Sequence, residues 1–202
     1  MKLIEPLSSA LLVTGCVYVA GISQYSALMH CFGVNPAFSQ PSIDKIFYDG
    51  GLITFELFVK HFLLFSLFVF GVFVGLSLNV LWRAKGNVAL RRLYWSSAIQ
   101  KGRVIYSFLS SASGTILFVY LIFLTFSSYN KGVSDGGRVA DMFLSICHAV
   151  ELKKDGKSIK GCAFSKDRDS IWFYTIEGDE PRANSKLLSE LDQIIYFDPA
   201  AL

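Results

Sequence analysis

Three long stretches without a charged residue constrain this chain more than anything else in it. No Asp, Glu, Lys or Arg occurs in residues 7–43, 62–82 or 104–130. Each stretch reaches the roughly 20 positions that an α-helix needs to cross a hydrocarbon core about 30 Å thick. The chain is 52% hydrophobic and 17% charged over its 202 residues, whereas a water-soluble domain carries about a quarter charged. The expected fold class is a membrane α-helical protein with about three transmembrane helices and a small C-terminal β domain.

The spans differ in character. Span one, 7–29, is interrupted by Ser8, Ser9, Thr14, Ser23, Gln24 and Ser26, and such residues favour a face packed on protein. Lys2 and the small residues at 21–23 imitate a signal peptide, but Glu5 and the length of the apolar run argue for a retained anchor. A connector, 31–51, contains the breakers Asn35-Pro36, Gln40-Pro41-Ser42 and Asp49-Gly50-Gly51. Within it a short interfacial helix starts at Ser42, with Ser42 as N-cap and Lys45 in its third position. Span two, 52–82, is the most apolar and ends at the interface pair Trp82-Arg83. Span three, 104–127, completes a transmembrane domain over 1–128.

Charge sets the orientation. The loop 83–103 holds Arg83, Lys85, Arg91, Arg92, Lys101 and Arg103 and no acid. Basic residues in short loops stay cytoplasmic, which puts the N-terminus inside and the C-terminal domain outside. Apolar Val88, Leu90, Leu93, Tyr94, Trp95, Ala98 and Ile99 interleave with Arg91 and Arg92, the pattern of an amphipathic helix on anionic headgroups. A docking surface for a cytoplasmic protein partner is the sharper alternative. Direct nucleic-acid binding is a poor expectation, because the basic loop sits beside two spans.

A flexible linker is expected at 129–138, from Lys131-Gly132 through Gly136-Gly137. A soluble α+β domain, 139–202, follows. Val139, Met142, Phe143 and Ile146 recur at helical spacing. The period then changes, with Val150 and Leu152 alternating with charge and Asp155-Gly156 giving the strongest short hairpin signal. Further strands follow at 171–176 and 194–197, separated by a turn at 178–181. Residues 187–191 are ambiguous. Four or five strands in so few residues make a domain that is marginal alone.

The stretch 150–161, apolar-x-apolar, Gly turn, then a strand with Gly161 at a bend, resembles the opening hairpin of small SH3-like and Sm-like barrels. Residues 167–176 and 194–197 are similar to the third and closing strands. The RNA-binding residues of Sm-like proteins are not recognisable. The layout of anchor, outward loop, long span, basic loop, span and β domain resembles small accessory membrane proteins of the bacterial inner membrane. More weakly, it resembles the transmembrane component of the Kiwa anti-phage defence system. That resemblance implies an oligomeric scaffold with a cytoplasmic partner.

Few side chains suggest chemistry. Glu56 and Lys60, four apart with the acid first, form a helical pair at the outer boundary of span two. It either anchors the helix end or senses at the boundary. Gly71 and Gly75 form G-x-x-x-G, which serves self-association or tight packing within the chain. Cys16, Cys31, Cys147 and Cys162 include no C-x-x-C, and His30, His61 and His148 have no ligand spacing, so neither a metal nor a cofactor is expected. Outside the cytoplasm Cys147 and Cys162 would pair as a disulfide or remain two buried thiols. No nucleophile–base set or phosphate loop is present, and an enzyme is not expected.

These signs describe a non-enzymatic, homo-oligomeric inner-membrane sensor or scaffold. It would couple an extracytoplasmic event to a cytoplasmic partner, with a defence or stress role. The alternatives are an immunity-type protein that blocks a toxin at the membrane and a channel-forming effector.

Overall fold

A computed structural model describes residues 4–39, 41–84, 88–177 and 180–197. Three long helices precede five strands: α1 (Ile4–Cys31), α2 (Ile43–Ala84), α3 (Val88–Ser145), β1 (Ala149–Lys154), β2 (Lys157–Lys166), β3 (Ser170–Glu177), β4 (Glu180–Leu187) and β5 (Gln193–Tyr196). All three helices are long and apolar enough to cross a membrane. The chain is a multi-pass membrane protein with a C-terminal antiparallel sheet.

The chain divides into two compact units. The first contains residues 1–54 and 125–202, and the second residues 55–124. The C-terminal sheet is therefore not a unit by itself. It shares a unit with α1, the start of α2 and the end of α3.

Several expected breaks are continuous helix. Ser42 caps α2, its hydroxyl accepting from the Lys45 N–H at 3.3 Å, but the helix then runs straight through Asp49-Gly50-Gly51. The expected linker at 129–138 and the short helix after it are both part of α3. The basic segment is helical from Val88, as its amphipathic pattern suggests, and it continues without a break into span three. The glycines explain two of these corrections. A Cβ at Gly50 would overlap the Val17 carbonyl, and one at Gly136 would overlap the Gln24 carbonyl. Glycine in a helix costs about 1 kcal/mol, and here it lets neighbouring backbones touch. Gly21 against Ile46, and Gly132 against Ala20 and Ser23, do the same.

The connector after α1 follows its local chemistry. Gly33 takes the left-handed conformation, φ 70°, and the Val34 N–H returns to Met29 O at 2.9 Å, a glycine-terminated helix end. Asn35 then caps a single 3-10 turn, Pro36–Phe38, its side chain accepting from Ala37 N.

In the sheet, β1 and β2 form the expected hairpin, with Lys154 opposite Lys157 and Asp155 and Gly156 at φ 49° and 74°. Positive φ at both turn residues matches the twist of the flanking strands. The strand order is β4-β3-β2-β1-β5. β4 and β5 are opposite edges, so the expected SH3-like or Sm-like barrel is not closed. Gly161 does not mark an irregularity. The register instead shifts between Ala163 and Ser165, leaving Phe164 as the extra residue of a bulge. A Cβ at Gly161 would press on the Phe173 ring, 2.6 Å away, so this glycine makes room for a core aromatic.

Candidate functional site

Two apolar clusters hold the first unit together. On one face of the sheet Val150, Leu152, Ile171 and Phe173 pack with Leu188, Leu191 and Ile194. On the other, Cys162, Phe164, Trp172 and Tyr174 pack against Tyr25, Leu28 and Met29 of α1, Phe32 just past its end, and Ala140 and Phe143 of α3. The β3 run 171–174 is hydrophobic throughout because alternate residues serve opposite faces, both buried. Tyr25, Leu28 and Met29 recur at i, i+3 and i+4, one helical stripe, which Phe32 extends past the helix end. Phe32 stacks on Phe164 at 3.9 Å between centroids. The last part of expected span one is thus occupied by protein. Of its most apolar window 33% is buried, against 6% for α2.

Inside this interface lies a buried polar node. Asp167 is 6% exposed. Its Oδ1 accepts from the Tyr25 hydroxyl at 2.8 Å and its Oδ2 from the Trp172 indole N–H at 2.5 Å. Its backbone N–H donates to Ser170 O at 2.8 Å, closing the β2–β3 turn. Lys45 of α2 donates from Nζ to Ser165 Oγ at 3.4 Å and sits 5.7 Å from the Tyr25 ring centroid. Helix α1 and the β2–β3 turn therefore meet at one carboxylate, each oxygen of which accepts from a neutral donor, and α2 joins beside it through Lys45. Sequence reasoning missed Tyr25, Lys45, Asp167 and Trp172. The only available signal was the stripe from Tyr25 to Phe32, and it resembles a lipid-facing stripe.

A covalent link reinforces the interface. Cys147, just past α3, is disulfide-bonded to Cys162 of β2, with Cα atoms 5.1 Å apart. Tyr174 Oη donates to Phe143 O in the last turn of α3 at 2.9 Å. Burial pushes the Tyr174 phenol above its usual range. A cavity of about 270 Å³ opens beside the disulfide, walled by Ala149, Gly161, Tyr174 and Phe197. Deeper among the helices, Cys16 Sγ and Thr125 Oγ1 share a 2.8 Å contact.

The other expected residues lie along the helices. Glu56 and Lys60 are exposed on α2, one turn apart. His61 beside them contacts the Tyr120 and Phe123 rings. A Cβ added at Gly71 or Gly75 would meet no described atom within 4 Å. Arg83 is in the last turn of α2. Arg91, Arg92, Trp95, Lys101 and Arg103 belong to α3. Lys85 lies outside the described residues. Among the described residues no group of three or more His, Cys, Asp or Glu is placed to hold a metal ion.

Compared with known protein families, with curated proteins and with solved structures, the chain matches none.

Proposed function

We propose that this chain is a non-enzymatic membrane sensor and scaffold that self-associates and couples an event at its extracytoplasmic sheet to a cytoplasmic partner at the basic segment 83–103. A defence or stress role suits it. The observation that carries this reading is the way the sheet is joined to the helices. It is fixed to α1 through Tyr25 and to α3 through Cys147 and Tyr174. α3 itself contains most of the basic segment. Two independent signals support the orientation: six basic residues point inward by the charge rule, and disulfides persist in oxidising compartments. A channel is less favoured, because Ser23 is buried and both Ser23 and Gln24 lie against the α3 glycines.

Coupling is tested with a cysteine reporter. In a Cys31→Ser background, Ser97→Cys on α3 is labelled from the cytoplasmic side, with and without Tyr25→Phe. A changed labelling rate at equal expression is expected. Identical kinetics would refute the coupling, and labelling only from outside would refute the orientation.

A further inference from the structure

The second unit has an unbalanced charge. Between Glu56 and Asp135 the chain contains no acidic residue, whereas Lys60, Arg83, Lys85, Arg91, Arg92, Lys101 and Arg103 all fall in the same interval. Glu56 is the unit's lone carboxylate, and it is remote from the basic end. Trp95 packs on Phe73, ring centroids 6.4 Å apart. Along α2, Phe73 is about 25 Å from Glu56 at 1.5 Å per residue. That exceeds the distance of about 10 Å over which exposed charges are felt in salt. The counter-anion for this end of α3 must therefore come from outside the unit.

The shape of the surface selects what kind of anion. Val88, Arg92, Trp95, Ser96 and Ile99 line a cavity of about 460 Å³. They recur at i, i+4, i+7, i+8 and i+11, so they share one face of the helix. Arg92 offers a planar fork of N–H donors that fits phosphate oxygens in pairs. The Trp95 indole N–H is a donor only, and its ring is half-buried and rooted on Phe73. Ser96 adds no donor, because its hydroxyl already donates to Leu93 O at 2.9 Å. At the two ends Val88 and Ile99 are 66% and 54% exposed, suited to hydrocarbon and not to water. The first turn of α3 contains no acidic residue to complement the positive end of its dipole.

We propose that this face of α3 seats one anionic glycerophospholipid, its phosphate held by the Arg92 guanidinium and the Trp95 indole N–H and its acyl chains along Val88 and Ile99. The excess of cations calls for a net negative headgroup, since a zwitterionic one brings its own cation. The inference rests on the reading that residues 83–103 lie at the cytoplasmic membrane surface, where anionic lipid is concentrated. The seat marks where lipid composition acts on the scaffold.

The test uses the full chain in nanodiscs of phosphatidylcholine with increasing phosphatidylglycerol. Two quantities are read: the phosphatidylglycerol retained per chain by native mass spectrometry, and the thermal midpoint. One retained lipid and a rising midpoint are expected. Arg92→Gln, which removes charge-assisted bonds, should weaken retention about tenfold or more. Trp95→Phe keeps the ring and loses the N–H, and should show a smaller loss. Inorganic phosphate in place of the lipid should leave the midpoint unchanged. Equal retention in wild type and Arg92→Gln, or a midpoint raised by phosphate alone, overturns the proposal. Retention that drops only when Arg83, Lys101 and Arg103 are neutralised together also refutes the seat, while general headgroup attraction survives. The labelling of Ser97→Cys from one side or the other separately decides the orientation.

Discussion

The Tyr25 hydroxyl donates to Asp167 Oδ1 at 2.8 Å across 142 positions of sequence. This bond joins a helix that reads as a membrane anchor to a turn that reads as soluble. Tyr25→Phe should lower stability by about 1.5–3 kcal/mol, the range for a bond to a charged group. Asp167→Ala should cost more, because it leaves the Tyr25 and Trp172 donors unpaired in a buried place. The double variant should fall short of the sum, the mark of a shared interaction. Thermal midpoints in detergent check this, and strict additivity would remove the node.

Cys147→Ser with Cys162→Ser opens a disulfide of sequence separation 15. In the chain-entropy model a loop of that length contributes about 3 kcal/mol. The double variant and the reduced wild type should melt at the same lower temperature. Mass spectrometry of non-reduced peptides from freshly isolated membranes should find the bridged pair. Full alkylation of both thiols without prior reduction would show that the sheet is not held in an oxidising compartment.

The glycines separate into two kinds. Gly50→Val and Gly136→Val force a side chain into a neighbouring backbone carbonyl, and should destabilise the first unit by several kcal/mol or prevent its folding. Gly71→Ile with Gly75→Ile meets open space. It should leave the melting temperature of the chain unchanged and reduce the detergent-extracted mass to a smaller oligomer. An unchanged mass would leave self-association through these two positions without support.

Alkaline pH should loosen the sheet through Tyr174. Burial raises this phenol above its usual range in the fold. A raised folded value means that the stabilising contribution is complete below the unfolded value, about 10, and is lost as pH rises through the folded one. Tyr174→Phe should be less stable at neutral pH, having lost its bond to Phe143 O, and should show a flatter alkaline limb. Thermal midpoints between pH 8 and 11, roughly spanning the phenol's usual range, test this. An unaltered limb would assign the alkaline loss to other groups.

At the surface, Lys154 lies 3.0 Å from Glu190. It holds the Glu190 carboxyl below its usual range, and Glu190 in turn raises Lys154. The pair's contribution is present between the ordinary carboxylate and ammonium ranges. It is lost as pH falls through the lowered Glu190 value or rises through the raised Lys154 value. Both groups are exposed, so Glu190→Gln should change the midpoint little at neutral pH. A large drop would mean that the pair anchors the 3-10 turn Leu188–Glu190 against the β1–β2 hairpin.

By itself the sequence determined whatever depends on local pattern. Long uncharged runs become helices because no water-exposed structure tolerates them. Asp155-Gly156 becomes a hairpin because its backbone angles suit no other turn as well. Ser42 starts a helix because its hydroxyl meets an orphan N–H. Tertiary structure decided the rest, because hydropathy reports removal from water and not what replaces the water. Tyr25, Leu28 and Met29 read as the end of a membrane span and Phe32 as connector, yet all four are covered by a sheet. Gly132 and Gly136 read as a flexible linker, since an isolated strand of backbone gains nothing by ordering them. Contact with α1 reverses that balance. β4, with Pro181 and little β-branching, gains its strand conformation from pairing with β3 along its whole length. Asp167 reads only as the start of a turn before the third strand. Only the fold could bring a phenol and an indole to it, because both donors must arrive together before burying the carboxylate becomes favourable.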